Sequence, residues 1–133
     1  MNRWLVFLIS VVMAGSLLSP TGWAQGRLTV SLGETASWTI APDAGNVGRT
    51  AEWFKGPLPG AVPATVPGIM QQDLPGCHGV AWYRAEGFPV PAKPGADARY
   101  LLRFGAVDYL ADVWVNGQSA GGHEGGETPF ELD

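Results

Sequence analysis

The chain has 133 residues, 8 Lys+Arg against 12 Asp+Glu, and a formal net charge of −4. That length holds one domain and excludes an enzyme with its own large barrel. The acidic balance argues against nucleic acid as a partner, since phosphate binding needs clustered Lys and Arg. Charged residues make up 15% and hydrophobic ones 46%, which is not the composition of a disordered chain. With 19 Gly and 11 Pro, helix breakers are too dense for a bundle and suit short strands joined by turns. The lone Cys77 excludes an intrachain disulfide and a multi-cysteine zinc site, and no cofactor is implied.

Residues 1–24 read as a secretory signal peptide. Arg3 gives the positive start, Trp4 to Leu18 is almost wholly apolar, and Gly22 and Ala24 put small residues before a cleavage point at Gln25. The apolar run is shorter than the roughly 20 residues a membrane-crossing helix needs. The expectation is an exported protein, periplasmic or secreted, with no membrane association after cleavage and one domain over residues 25–133.

The mature segment reads as strands. Leu28, Val30 and Leu32 alternate with polar residues, as do Trp38 and Ile40, the period of a sheet with one buried face. A loop rich in Gly, Asn and Asp spans Pro42 to Thr50. Trp53 and Phe54 precede a stretch broken by Pro57 and Pro59. Ala64 to Val66 reads as a short strand, and Ile69 to Leu74 as one helical turn. Val80 to Phe88 carries Trp82 and Tyr83. In Arg99 to Phe104, Tyr100, Leu102 and Phe104 share a face. In Tyr109 to Val115, Ala111, Val113 and Val115 share one face, with Leu110, Asp112 and Trp114 on the other. Asn116-Gly117 follows, the strongest short hairpin signal, because both residues accept the positive φ of a type I′ turn. Gly121 to Gly126 reads as a tight turn. Phe130 to Leu132 reads as a last strand with nothing after it to pair with, an open edge that makes the chain look like the leading part of something longer. The fold class is all-β, an antiparallel β-sandwich or jelly roll.

No residue set announces catalysis. A glycosidase needs two carboxyls facing across a bond, roughly 5 to 9.5 Å apart. Asp108 and Asp112 would be spread roughly 13 Å along a strand, and Glu124 and Glu127 read as solvated loop acids. Cys77 and His78 are neighbours that point opposite ways on an extended chain. His78, His123 and Glu124 do not have metal-ligand spacing. The glycines at 121–126 lack the Lys-Ser/Thr of a phosphate loop. Trp53, Trp82, Tyr83, Tyr109 and Trp114 are the residues on which a sugar ring could stack, though most read as core. Arg84 and Asp112 sit among apolar neighbours and, if buried, must be paired in a structural ion network.

Several segments, taken in order, resemble the N-terminal sugar-binding domain of glycoside hydrolase family 2, the β-galactosidase, β-glucuronidase and β-mannosidase group. Val66-Pro67-Gly68 looks like that family's strand-ending VPG, and Gly79 to Arg84 its GVxWYR strand. Arg99 to Phe104 with Val107-Asp108-Tyr109 resembles RVxLRFxGVDY, and Ala111 to Gly117 resembles ADVWVNG. His123 to Gly126 and Thr128 to Asp133 resemble HEGGYTPFEFD. Two departures stand out. Ala85 to Phe88 lacks the usual basic residue and Thr, so the strand after Arg84 is expected to bulge, and Glu127 replaces a Tyr. The resemblance implies a jelly roll of the galactose-binding type, a carbohydrate (β-glycoside) substrate, and downstream immunoglobulin-like and barrel domains as partners. The barrel would carry the two catalytic glutamates, so no catalytic residue is assigned here. Loop residues His78, His123 and Glu124 are the substrate contacts the resemblance implies. The competing readings are a free-standing carbohydrate-binding module and an adhesion domain without a sugar site.

Overall fold

The structure, a computed structural model, describes residues 4–9, 27–93 and 95–133, with residues 4–9 described by their backbone alone. Residues 1–3 and 10–24 of the expected signal peptide, Arg3 and the cleavage point included, lie outside the described residues. The described elements, in chain order, are β1 (Trp4–Ile9), α1 (Leu32–Thr35), β2 (Ser37–Pro42), a 3-10 turn (Trp53–Lys55), β3 (Val62–Pro63), α2 (Met70–Asp73), β4 (Ala81–Glu86), β5 (Leu102–Phe104), β6 (Leu110–Val115), β7 (Gln118–Glu124) and β8 (Phe130–Leu132). A six-stranded sheet has the order β3-β2-β4-β1-β6-β7, and β5 pairs with β8 in a second, two-stranded sheet. The chain is an all-β sandwich whose pairings are antiparallel except those of β1, which runs parallel to both β4 and β6.

The period of two sorts the large sheet's side chains onto two buried faces. Trp38, Ile40, Ala81, Tyr83, Ala85, Ala111 and Val113 form the inner core, joined by Leu102, Phe104, Phe130 and Leu132 from the second sheet. Ala41, Trp82 and Trp114 face the other way and are covered by Leu58, Trp53 and Phe54 from the long loop between β2 and β3. A strand covered on both faces has no solvent side, which is why Ala81 to Ala85 is buried residue after residue, with Arg84 the one charged side chain among them. Trp82 stacks on Trp114 at 5.3 Å between ring centroids, and Phe54 also stacks on Trp114 at 5.3 Å.

Asn116 and Gly117 take φ values of 50° and 79° and turn β6 into β7, as the hairpin signal requires. Several local expectations are corrected. Leu28 to Leu32 is not a strand. The Ser31 carbonyl accepts from Thr35 N and Oγ1, and the Leu32 carbonyl accepts from the Trp38 indole at 2.9 Å, so these groups close a helical turn. The short strand is Val62–Pro63, two residues before the expected Ala64 to Val66. Tyr100 lies outside β5 and is exposed; its hydroxyl donates to the Pro91 carbonyl at 2.7 Å. Gly121 and Gly122 lie within β7 rather than in a turn. There a Cβ on Gly122 would stand 2.6 Å from the Ala111 carbonyl oxygen, so close strand approach is what demands glycine. No register shift interrupts β4; the irregularity falls between Val113 and Trp114, against β7. Finally, β8 is paired, with Leu102 opposite Leu132 and Phe104 opposite Phe130.

Candidate functional site

Sheet register determines which loops share an end. Ala81 at the start of β4 and Ala111 near the start of β6 both lie opposite Leu5 of β1, and Ala111 lies opposite His123 near the end of β7. The segment before β4, holding His78, therefore opens at the same end of the sheet as Asp108-Tyr109 and the loop after Glu124. Three strand spacings separate β4 from β7, about 14 Å. His78 is exposed and borders a shallow depression with Pro42, Asp73, Leu74, Pro75 and Cys77.

His123 and Glu124 are brought to one place but point to opposite faces, as neighbours on a strand must. His123 turns inward. Its ring stacks on Phe130 at 4.3 Å, and Nε2 lies 2.8 Å from Thr128 Oγ1. Glu124 turns outward, and its Oε1 accepts from the Tyr109 hydroxyl at 2.8 Å. Gly125 N donates to the Tyr109 carbonyl at 2.8 Å, which carries the pairing one step past the strand end. Gly125 has a φ of +142°, and a Cβ there would stand 2.8 Å from Thr128 Oγ1. A Cβ on Gly126 would stand 3.1 Å from Asp108 Oδ1. The paired glycines thus let the loop fold tightly over Asp108 and His123.

The result is a cluster of Asp108, Tyr109, His123, Glu124 and Thr128. The Tyr109 side is open to solvent, the residue being 46% exposed. The Glu124 carboxylate, by accepting the phenol's hydrogen bond and through its charge, raises the Tyr109 pKa. The Tyr109 hydroxyl is thus held as a donor to Glu124. A flat aromatic face beside two carboxylates and a hydroxyl is the chemistry that recognises vicinal hydroxyls. Among the described residues no cluster of three or more His, Cys, Asp or Glu could hold a metal ion.

Arg84 is buried and donates to the backbone carbonyls of Trp53, at 3.1 Å, and Gly56, with Glu86 at 3.4 Å. Asp112 forms an ion pair with Arg49. Both expected charges are paired, in separate places. Sequence reasoning missed Asp43, which is 3% exposed. Its carboxylate accepts from Val47 N at 2.8 Å, Gly48 N at 2.8 Å and the Trp82 indole at 2.9 Å. The Asp-x-Gly pattern at the head of that loop was the available signal.

Residues 65–133 match the family described as glycosyl hydrolases family 2, sugar binding domain. The chain belongs to this family. Among relatives, the beta-glucuronidase of Rattus norvegicus is 32% identical over 93% of this chain and 20% of its own length. That of Canis lupus familiaris is 34% identical over 65% of this chain and 15% of its own. A solved beta-glucuronidase from an uncultured Clostridium sp. matches with a TM-score of 0.60 at 32% identity, over 74% of this chain and 18% of that one. The chain spans about a fifth of the length of these relatives. The family match begins at Thr65 and takes in every residue of the cluster above.

Proposed function

We propose that this chain is the sugar-binding scaffold at the N-terminal end of an exported glycoside hydrolase acting on β-glucuronides, and that the residues that break the glycosidic bond lie on polypeptide outside it. The observation carrying this reading is the extent of the likeness: a beta-glucuronidase matches 93% of this chain, yet this chain spans only 20% of that relative. The carboxylates here have other duties. Asp43 is consumed by the Trp82 indole and two amides, Asp112 by Arg49, and Glu124 by Tyr109.

In this reading the sheet end lends loops to a pocket completed by a barrel, and an immunoglobulin-like domain packs beside it. Tyr109, Glu124 and Asp108 meet hydroxyls of the glycoside. The negative charge of Glu124 and Asp108 repels a glucuronate carboxylate, so that group is held by cations elsewhere in the pocket. His123 shapes the loop through Phe130 and Thr128, and His78 reaches the pocket from about 14 Å across the sheet end. Residues 1–24 act as the leader, and export delivers a chain beginning at Gln25.

The test is expression with the native leader in a bacterial host, followed by N-terminal sequencing and assay on p-nitrophenyl β-D-glucuronide. The product of the uninterrupted reading frame is expected to start at Gln25 and to hydrolyse this substrate in preference to the galactoside and mannoside. The 133-residue chain is expected to be inactive; hydrolysis by it alone overturns the assignment. The exposed Tyr109 ring favours a second reading, a free-standing carbohydrate-binding module. That reading predicts measurable affinity of the chain for glycosides without turnover.

A further inference from the structure

The depression beside His78 opens at the sheet end that carries the Tyr109–Glu124 cluster. Pro42 and Ala44 form one wall, where the chain leaves β2, and Leu74, Pro75, Cys77 and His78 form the other, before β4. It encloses about 540 Å³. Small-molecule sites typically have roughly 300–1,000 Å³.

Both walls are held in place by the chain itself. Asp43 N donates to the Val80 carbonyl at 2.9 Å and fastens one wall to the other. Leu74 N donates to the Met70 carbonyl at 2.9 Å and Cys77 N to the Leu74 carbonyl at 3.1 Å, so the wall before β4 is a closed turn. Gly76 and Gly79, with φ of 76° and 95°, reverse the backbone on either side of Cys77 and His78. The Asp73 carboxylate, also at this wall, is engaged by Thr65 N at 2.8 Å and Thr65 Oγ1 at 3.1 Å.

The lining separates two kinds of occupant. A second sugar needs several convergent donors and acceptors, and the side chains of Pro42, Ala44, Leu74 and Pro75 supply none. They offer rigid apolar surface, with the exposed His78 ring as a flat face at the rim. Two to three strand spacings, about 10–14 Å, separate this depression from Tyr109 and Glu124. A pyranose and a fused-ring group joined to it through one oxygen reach across that span.

We propose that this depression is the aglycone site of the glycoside whose sugar meets Tyr109 and Glu124, and that it takes a flat, apolar aromatic aglycone. This rests on the proposed function, which puts the sugar at Tyr109 and Glu124.

Cys77 is the only cysteine of the chain and is half-buried in the lining, so its thiol reports occupancy directly. The test is the rate at which iodoacetamide alkylates Cys77 in the 133-residue chain, with methyl β-D-glucuronide, 2-naphthyl β-D-glucuronide or 2-naphthol present at equal concentration. The naphthyl glycoside is expected to slow alkylation roughly 5-fold, the protection that mass action gives at about four times the dissociation constant. The methyl glycoside is expected to leave the rate unchanged. Ala44→Arg, at an exposed position, fills the depression and is expected to remove the protection. Equal protection by the two glycosides, none by the naphthyl one, as much from 2-naphthol as from its glycoside, or protection that survives Ala44→Arg each overturns the inference. Hydrolysis of p-nitrophenyl β-D-glucuronide by the uninterrupted reading-frame product reports separately on the functional assignment. An active product with Cys77 unprotected sinks only the aglycone site, and an inactive one with Cys77 protected sinks only the function.

Discussion

The Trp82 indole donates to the Asp43 carboxylate at 2.9 Å, and the same carboxylate accepts from the amides of Val47 and Gly48 at 2.8 Å each. One buried acid thus fastens the long loop between β2 and β3 to the middle of β4. That loop in turn supplies Trp53, Phe54 and Leu58, the cover of the outer core.

Replacing Asp43 with Ala leaves an indole N–H and two amides without an acceptor. The expected loss is about 2–4 kcal/mol, since each unsatisfied buried donor costs roughly 1–3 kcal/mol and the loop relaxes in part. Asp43→Asn keeps one acceptor oxygen and is expected to lose less. Urea titration of the three proteins checks the order.

Gly48 packs where a Cβ would stand 2.4 Å from the Trp82 indole nitrogen, and that ring is held by Asp43, Trp53 and Trp114. Gly48→Ala is expected to cost about 1–3 kcal/mol by overpacking. Gly56, with open space around it, is the control, and Gly56→Ala should cost far less. Thermal melts separate the two.

Arg84 ties the 3-10 turn to the sheet through the carbonyls of Trp53 and Gly56. Arg84→Ala should destabilise by about 2–3 kcal/mol, the range for charge-assisted bonds, without altering sugar affinity in the complete hydrolase. Tyr109→Phe should do the reverse. Its ring is 46% exposed, so stability should change by less than about 0.5 kcal/mol. KM should rise roughly 2- to 10-fold for one lost hydrogen bond. A large affinity loss with an unchanged melt for Arg84→Ala would reverse the two assignments.

Burial, then the nearby Asp73 and Cys77, push the Tyr83 phenol from 10.0 up to about 12. Between those values the unfolded chain has released a proton that the folded one retains. Stability is therefore fully present below about pH 10 and falls as pH rises towards 12. The loss is at most about 2.7 kcal/mol at 1.36 kcal/mol per unit, and less where water screens the phenolate. Tyr83→Phe should flatten that alkaline limb in denaturant titrations; an unchanged limb would show that Tyr83 does not cause it.

The fold was largely legible because period two and turn chemistry are local. Ala111, Val113 and Val115 share a face, Asn116-Gly117 makes the hairpin, and Met70–Asp73 is the helical turn. What failed depended on distant partners. Leu28 to Leu32 alternates like a strand, but the carbonyls of Ser31 and Leu32 serve a turn and the Trp38 indole. Gly121 and Gly122 looked like a turn because the sequence does not reveal the Ala111 carbonyl beside them. Part of the candidate site was legible through His123 and Glu124. Tyr109 entered only as one of several aromatics; it meets Glu124 15 positions away, Asp108 meets Gly126 across the same closure, and Thr128 joins through His123, five positions before it. Asp43, five positions from Gly48 in the chain, acquires its weight from Trp82, 39 positions away.

The stacked indoles decide what intrinsic emission from this protein can report. Trp82 and Trp114 lie 5.3 Å apart, with Trp53 5.9 Å from Trp82, and Trp38 is buried in the inner core. None belongs to the Asp108–Thr128 cluster. Emission from these four of the six tryptophans is therefore a sensor of the loop lifting off β4, and a titration with glycosides that leaves it unchanged says nothing about binding at Tyr109.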